Sequence, residues 1–255
     1  MTDRGLSRRR VLALRVGFAV IVLIGWYGLA LTTGALFLAT PDEIARRLAE
    51  SMASGEFWAY LTPTLYVLGV GAGLGALVGV PAGMLIGRFR PIYTLTEAPI
   101  NILYTTPLVA LIPFILVVLG FGNTAKILIV FLFTVLPVLI NTASGVRTVD
   151  PDLLELSQSF CAAEWTVWRD VLAPAALPAI ITGLRLGLVH GLVGVVLADF
   201  YAGASGFGYL IILYTNRFDI AGALGPVIVL ALAGTAIATG LKLLQRRLSP
   251  WQEAR

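Results

Sequence analysis

The chain has one cysteine and one histidine. Cys161 alone cannot close an intrachain disulfide, and His190 alone gives no basis for a histidine-rich metal site. The sequence holds no glycine loop with a phosphate-binding lysine, no cluster at metal-ligand spacing and no evident nucleophile–base pair. No feature therefore argues for catalysis, and no cofactor is expected in this chain. Charge is also scarce: 13% of residues are charged, against roughly 25% in a soluble domain. The net charge of +4 comes from residues that flank apolar runs, so it gives no footing for a nucleic-acid partner.

Apolar sequence is abundant. Hydrophobic residues make up 58% of the chain and the mean hydropathy is +0.90. The composition is that of a multi-pass, all-α membrane protein. Six apolar runs are long enough to cross a bilayer, at about 16–38, 60–86, 99–119, 124–140, 179–198 and 220–244. They form one transmembrane domain, 16–248, between a basic arm at 1–15 and a tail at 249–255. "SRRRVL" from Ser7 faintly resembles a twin-arginine export signal, but a basic flank that keeps the N-terminus inside is the stronger reading. Pro41-Asp42-Glu43 marks the start of a short interfacial helix with Ile44, Leu48 and Met52 on one face.

Several spans carry more than hydrophobicity. Gly71, Gly75, Gly79, Gly83 and Gly87 recur every four residues and line a ridge where another helix can approach closely. The third run combines prolines with Asn101, Tyr104 and Thr105. Such groups suit a span that lines a cavity or packs inside a bundle, and a pathway role stays open beside plain buried hydrogen bonding. His190 lies mid-span, where an ionisable group is costly enough to be a functional candidate. A neutral ring bonded to a neighbouring helix is the alternative. Asp199 closes the fifth span and is expected at the far-side mouth. The segment from Gly203 to Asp219 reads as a short re-entrant or interfacial helix.

The one long stretch that neither spans nor merely turns is Leu153 to Leu186. Asp150 and Pro151 supply an N-cap and first helical residue. Leu153, Leu156, Phe160 and Ala163 fall on one face, with Asp152, Glu155 and Ser159 opposite. A second amphipathic piece carries Trp165, Trp168 and Leu172, and Pro174 and Pro178 are expected to close it. Two short helices between spans suggest a docking surface for a soluble partner.

This stretch resembles the "EAA" loop of ATP-binding cassette importer permeases. Glu155, Leu156 and Ser157 stand at E-A-A, Cys161 at the family's glycine, and Leu177-Pro178 at the closing L-P. Phe160 and Ala162 complete the expected ATPase-coupling set. Two departures stand out: Cys161 replaces a residue that can take positive φ, and Ala163 replaces a capping residue. Pro107, Ile112-Pro113, Gly120 and Gly122 resemble the nitrate, sulfonate and taurine branch, as do "GLRLGL" from Gly183, the glycines and tyrosine of GASGFGY, and Pro250-Trp251.

The resemblance implies a type I permease fold: six transmembrane helices with a cytoplasmic two-helix coupling loop at about 142–178. It implies a second permease copy, two cytoplasmic ATPases that bind ATP and magnesium, and an extracytoplasmic binding protein. The substrate it implies is a small anion such as nitrate, taurine or an alkanesulfonate. A thiamine-precursor pyrimidine or riboflavin is the alternative. Charge agrees with both termini inside an inner membrane: every basic residue except Arg46, Arg47, Lys126 and Arg217 falls on the cytoplasmic side. A stand-alone secondary transporter would need intramembrane charges for ion coupling, and only His190 and Asp199 offer any. A purely structural scaffold would leave the docking loop unexplained.

Overall fold

Helix α6 (Asn123–Arg147) lies between two glycine-lined helices, α3 (Glu56–Arg88) and α8 (Glu164–Ala202), and its side chains decide how closely all three pack. The computed structural model describes residues 8–34, 37–203 and 205–249, and every regular element among them is helical. The remaining helices are α1 (Arg8–Thr33), α2 (Pro41–Ser54), α4 (Arg90–Thr105), α5 (Leu108–Leu119), α7 (Pro151–Ser159), α9 (Phe207–Asn216) and α10 (Ile220–Leu248). Residues 1–7 of the basic arm, Ala204, and the tail's Pro250-Trp251 lie outside the described residues.

Helices α1, α3, α6, α8 and α10 are each long and apolar enough to cross a bilayer. A sixth crossing exists only if α4 and α5 count together, and these meet at 90°. The run expected to span over 99–119 is thus divided by a bend. Pro107 has no N–H to donate and forces the preceding residue out of helical geometry; Thr106 has φ −66° and ψ 130°. Helix α5, at 12 residues, rises about 18 Å, well short of the roughly 30 Å hydrocarbon core.

Two further boundaries differ from expectation. Helix α6 continues past residue 140 to Arg147, so the interhelical segment is shorter than 142–178. Pro174 and Pro178 do not close the second amphipathic piece. It runs straight into the fifth span as one helix of 39 residues, Glu164–Ala202. A π-helical turn over Val167–Leu172 makes this possible, with the Ala173 N–H reaching back to the Trp168 carbonyl. The wider turn shifts the backbone register just before Pro174, whose missing donor would otherwise break the helix.

The chain separates into two compact units. The first is drawn from Met1–Trp58 and Leu210–Ile228. Its helix α2 starts at Thr40, whose N–H donates to Glu43, and stops at Gly55, which adopts φ +85°. Ile44 and Ser51 are buried on its inner face. Arg47 Nε donates to Asp219 Oδ2 at 2.7 Å, and the buried Tyr214 donates its hydroxyl to Glu56. The bond to Asp219 holds the Arg47 guanidinium above its ordinary pKa, and burial pushes the Tyr214 phenol up.

The second unit is drawn from Ala59–Tyr209 and Val229–Arg255. Its core has three parts. Ile112, Leu116, Ile129 and Phe133 join α5 to α6 and α8. Val67, Leu68, Val130, Leu192 and Val195 join α3, α6 and α8. Val146, Val149, Val167, Leu172 and Ala176 seal the end nearest α7.

Candidate functional site

The segment between α6 and α8 forms as its sequence directs. The Asp150 carboxylate accepts the Asp152 N–H at 3.0 Å and Pro151 opens α7. The helix ends when Cys161 adopts φ +51°, the left-handed conformation that its position demands despite its side chain. There the Ala162 N–H reaches the Ser157 carbonyl at 3.0 Å and the Cys161 N–H the Gln158 carbonyl at 2.9 Å. Ala163 precedes α8 in extended geometry and offers no side-chain cap.

The faces of α7 need correction. Leu154 and Ala162, not the Leu153 stripe, pack on the core around Val146 and Leu172. Leu153, Leu156 and Phe160 point outward at 45%, 54% and 77% exposure, and Trp165 is exposed as well. Glu155 and Cys161 are exposed beside them. Leu177 is half-buried and Pro178 buried, both inside α8. Trp168 turns inward against Phe89, and Arg88 pairs with Glu164 at 3.3 Å.

The five glycines of α3 meet α6 directly. A Cβ at Gly71 would lie 2.7 Å from Val130 Cβ, at Gly75 2.8 Å from Thr134 Cβ, and at Gly79 2.9 Å from Val138 Cγ1. At Gly83 it would meet the Leu139 carbonyl oxygen at 2.6 Å, and at Gly87 the Ala143 carbonyl oxygen at 2.7 Å. A second ridge meets α6 along an adjoining face, and shares Thr134 and Val138 with the first. Gly183, Gly187 and Gly191 on α8 would clash with Asn141, Val138 and Thr134 in the same way. Their four-residue spacing was present in the sequence and equally informative. The close approach leaves the buried hydroxyls of Thr134 and Thr142 without a hydrogen-bond partner.

Asp199 is buried rather than open to solvent. It is 1% exposed and takes Lys126 Nζ at 2.7 Å, in a pair where Lys126 is 2% exposed. Lys126 is thus not the solvated flanking charge expected from topology. Its ammonium also donates to the Ser205 carbonyl at 2.8 Å and the Ser205 hydroxyl at 3.2 Å. Asp199 Oδ2 accepts from the Thr64 hydroxyl and the Gly208 N–H, each at 3.3 Å. The Phe207 N–H in turn donates to Thr64 Oγ1 at 2.8 Å. Only glycine fits at Gly206: φ is +94° and a Cβ would overlap the Asp199 carboxylate. The cluster ties α3, α6, α8 and the turn before α9 together. The signal for it was two opposite charges placed near the same end of neighbouring apolar helices.

Of the remaining polar candidates, Tyr104 and His190 are both exposed and line one open groove of about 320 Å3. Asn101 belongs to a different cavity, about 380 Å3, shared with Tyr93, Glu97 and Arg147. Thr105 is exposed and bonds back to the Asn101 carbonyl at 2.9 Å. The three polar residues of the third run therefore do not form one site.

The sequence pattern described as "Binding-protein-dependent transport system inner membrane component" matches residues 79–253. The putative aliphatic sulfonates transport permease protein SsuC of Bacillus subtilis is 30% identical over 92% of this chain and 84% of its own length. The taurine transport system permease protein TauC of Escherichia coli is 28% identical over 95% of this chain and 90% of its own. Among solved structures, a chain of the inward-facing MetNI methionine ABC transporter superposes with a TM-score of 0.65 at 21% identity, covering 76% of this chain and 97% of that one.

Proposed function

Because the chain belongs to the binding-protein-dependent inner-membrane components, the permease subunits of ATP-binding cassette importers, we propose that it forms the translocation path for a small oxyanion-bearing solute of the nitrate, taurine or alkanesulfonate kind. As a member of that family it is a multi-pass transport subunit and not an enzyme. Nucleotide chemistry belongs to separate ATPase chains. Both termini and α7 face the cytoplasm in this reading, and a second copy of the chain completes the path.

The observation that carries it is the outward stripe of Leu153, Leu156 and Phe160 on a short helix between spans. Folding alone gives no reason to expose three large apolar residues beside Glu155, whereas a cleft on an ATPase would bury them. Closure of the ATPases on ATP would then move α7. Beyond the Cys161 break, α8 runs unbroken for 39 residues, about 58 Å. It connects the docking end to Asp199 without a break, so movement of α7 has one continuous helix, with its π turn at the docking end, by which to reach the Lys126–Asp199 cluster. The substrate class is supported by the sulfonate and taurine permeases to which the chain is similar.

The test is co-purification and transport. Phe160→Ala and Glu155→Ala should insert normally, yet recover less ATPase or uncouple ATP hydrolysis from uptake of labelled 2-aminoethanesulfonate. Removing one member of a partly desolvated charge pair costs about 3–5 kcal/mol, and an exposed pair about 1 kcal/mol or less. Glu155→Ala should therefore lower ATPase recovery well beyond Glu164→Ala, since Glu164 already spends its charge on Arg88. Wild-type recovery, hydrolysis and uptake in both the Phe160 and Glu155 variants would refute the docking assignment.

A further inference from the structure

Two of the spanning helices, α3 and α6, end on arginines, Arg88 and Arg147, and α4 opens on another, Arg90. All three line one pocket of about 490 Å3, which they share with Tyr93 and with Pro151 and Leu154 of α7. The lining contains no aspartate or glutamate. Arg88 gives Nε and Nη2 to Glu164 at 3.3 and 3.5 Å, so its charge is balanced from outside the pocket. Arg147 is held differently. Its guanidinium carbon lies 3.4 Å from the centre of the Tyr93 ring, a cation–π contact that fixes the group and uses none of its N–H donors. The Tyr93 hydroxyl is anchored in turn on Glu97 at 2.6 Å. Neither Arg90 nor Arg147 has an ion pair among the described residues, and no described group accepts a hydrogen bond from either guanidinium.

Two uncompensated guanidinium groups on one concavity are a receptor for an oxyanion, and the oxygens of a phosphate match their planar forks. Position and surroundings identify its source. Both α3 and α6 end as spans at this pocket, so it lies level with a membrane surface. On the adjoining turns, Leu85 of α3 and Ile92 and Leu95 of α4 are exposed. Apolar surface around a basic pocket at span ends suits a molecule with a charged head and apolar chains. A free phosphate ion would make no use of that surface. We propose that this pocket holds the phosphate of an anionic phospholipid, bound by Arg90 and Arg147, with the acyl chains along Leu85, Ile92 and Leu95. Because Leu154 shares the pocket, the head group lies against α7 and steadies it on the core. The site is independent of which solute the chain carries.

The test titrates the full-length chain, stripped of lipid in detergent, with phosphatidylglycerol or phosphatidylcholine of the same acyl chains. Native mass spectrometry counts the lipids bound. The first phosphatidylglycerol should bind at least about tenfold more tightly than the first phosphatidylcholine, whose choline ammonium is repelled by the arginines. Arg90→Gln and Arg147→Gln should each weaken that first event about tenfold, as loss of one charge-assisted hydrogen bond predicts. Arg169→Gln is the control. It removes an exposed charge at the same end of the molecule but outside the pocket, and should change the affinity by less than about twofold. Should Arg147→Gln fail to fold without its contact to Tyr93, Arg90→Gln decides the matter alone. Parent-like binding by Arg90→Gln, an equal loss in Arg169→Gln, or equal affinity for the two lipids would overturn the proposal. Inorganic phosphate separates the two sources of the anion. At the lipid's own concentration it should leave the lipid bound; displacement there would mark a free-phosphate site and sink the lipid assignment.

Discussion

Breaking the Lys126–Asp199 pair should be among the costliest single changes in this protein. All three ammonium hydrogens of Lys126 are used, at 2.7 Å to Asp199 and at 2.8 and 3.2 Å to Ser205. Lys126→Met leaves a buried carboxylate with only two long bonds, both 3.3 Å. Asp199→Leu strands an ammonium that is 2% exposed. Each should cost about 4 kcal/mol, the middle of the range for a buried pair broken on one side. The double replacement removes both charges but orphans the Ser205 carbonyl and the Gly208 N–H. At about 1–3 kcal/mol for each such group, it should also cost about 4 kcal/mol. The two single costs sum to about 8 kcal/mol, so the cycle should show a coupling near 4 kcal/mol. Unfolding of the purified chain in mixed micelles of rising dodecyl sulfate content, followed by tryptophan fluorescence, measures it. Thr64→Val, which removes the 3.3 Å bond to Asp199 and the acceptor of the Phe207 N–H, should cost about 2–3 kcal/mol and stays measurable if the charge variants fail to accumulate. Single costs below about 1 kcal/mol, typical of an exposed pair, or an additive double variant would refute the reasoning.

The other predictions use the same unfolding assay. Gly83→Ala should destabilise by about 1–3 kcal/mol, because its methyl would press on the Leu139 carbonyl oxygen. Gly73→Ala, which meets nothing within 4 Å, should be neutral or stabilising by up to about 1 kcal/mol; an equal cost for both would mean the ridge does not decide packing. Cys161→Gly should stabilise by about 0.5–1 kcal/mol, since φ of +51° penalises a side chain, and a loss of stability would show the thiol is needed there. Thr134→Val should stabilise by about 1 kcal/mol by removing a buried hydroxyl without a partner. A destabilised variant would mean that the hydroxyl finds a partner.

The sequence by itself determined the approximate place of the five long apolar helices, because about 20 consecutive apolar residues favour a bilayer. It determined the glycine ridge of α3, because a four-residue repeat stays on one helix face whatever packs there. It also determined the start of α7, because Asp150-Pro151 acts within one turn. These features are local or strictly periodic.

Tertiary structure decided the rest. Periodicity put Leu153, Leu156 and Phe160 on one face of α7, but only the position of Val146 and Leu172 turns Leu154 inward and that stripe outward. Proline positions marked a disturbance at 174 and 178. Whether the chain stops or absorbs them in a π turn depended on the continuous contact of α8 with α6. Lys126 and Asp199 looked like two flanking charges 73 residues apart. They became one buried pair because packing left neither access to water, and a charge without water must find its opposite.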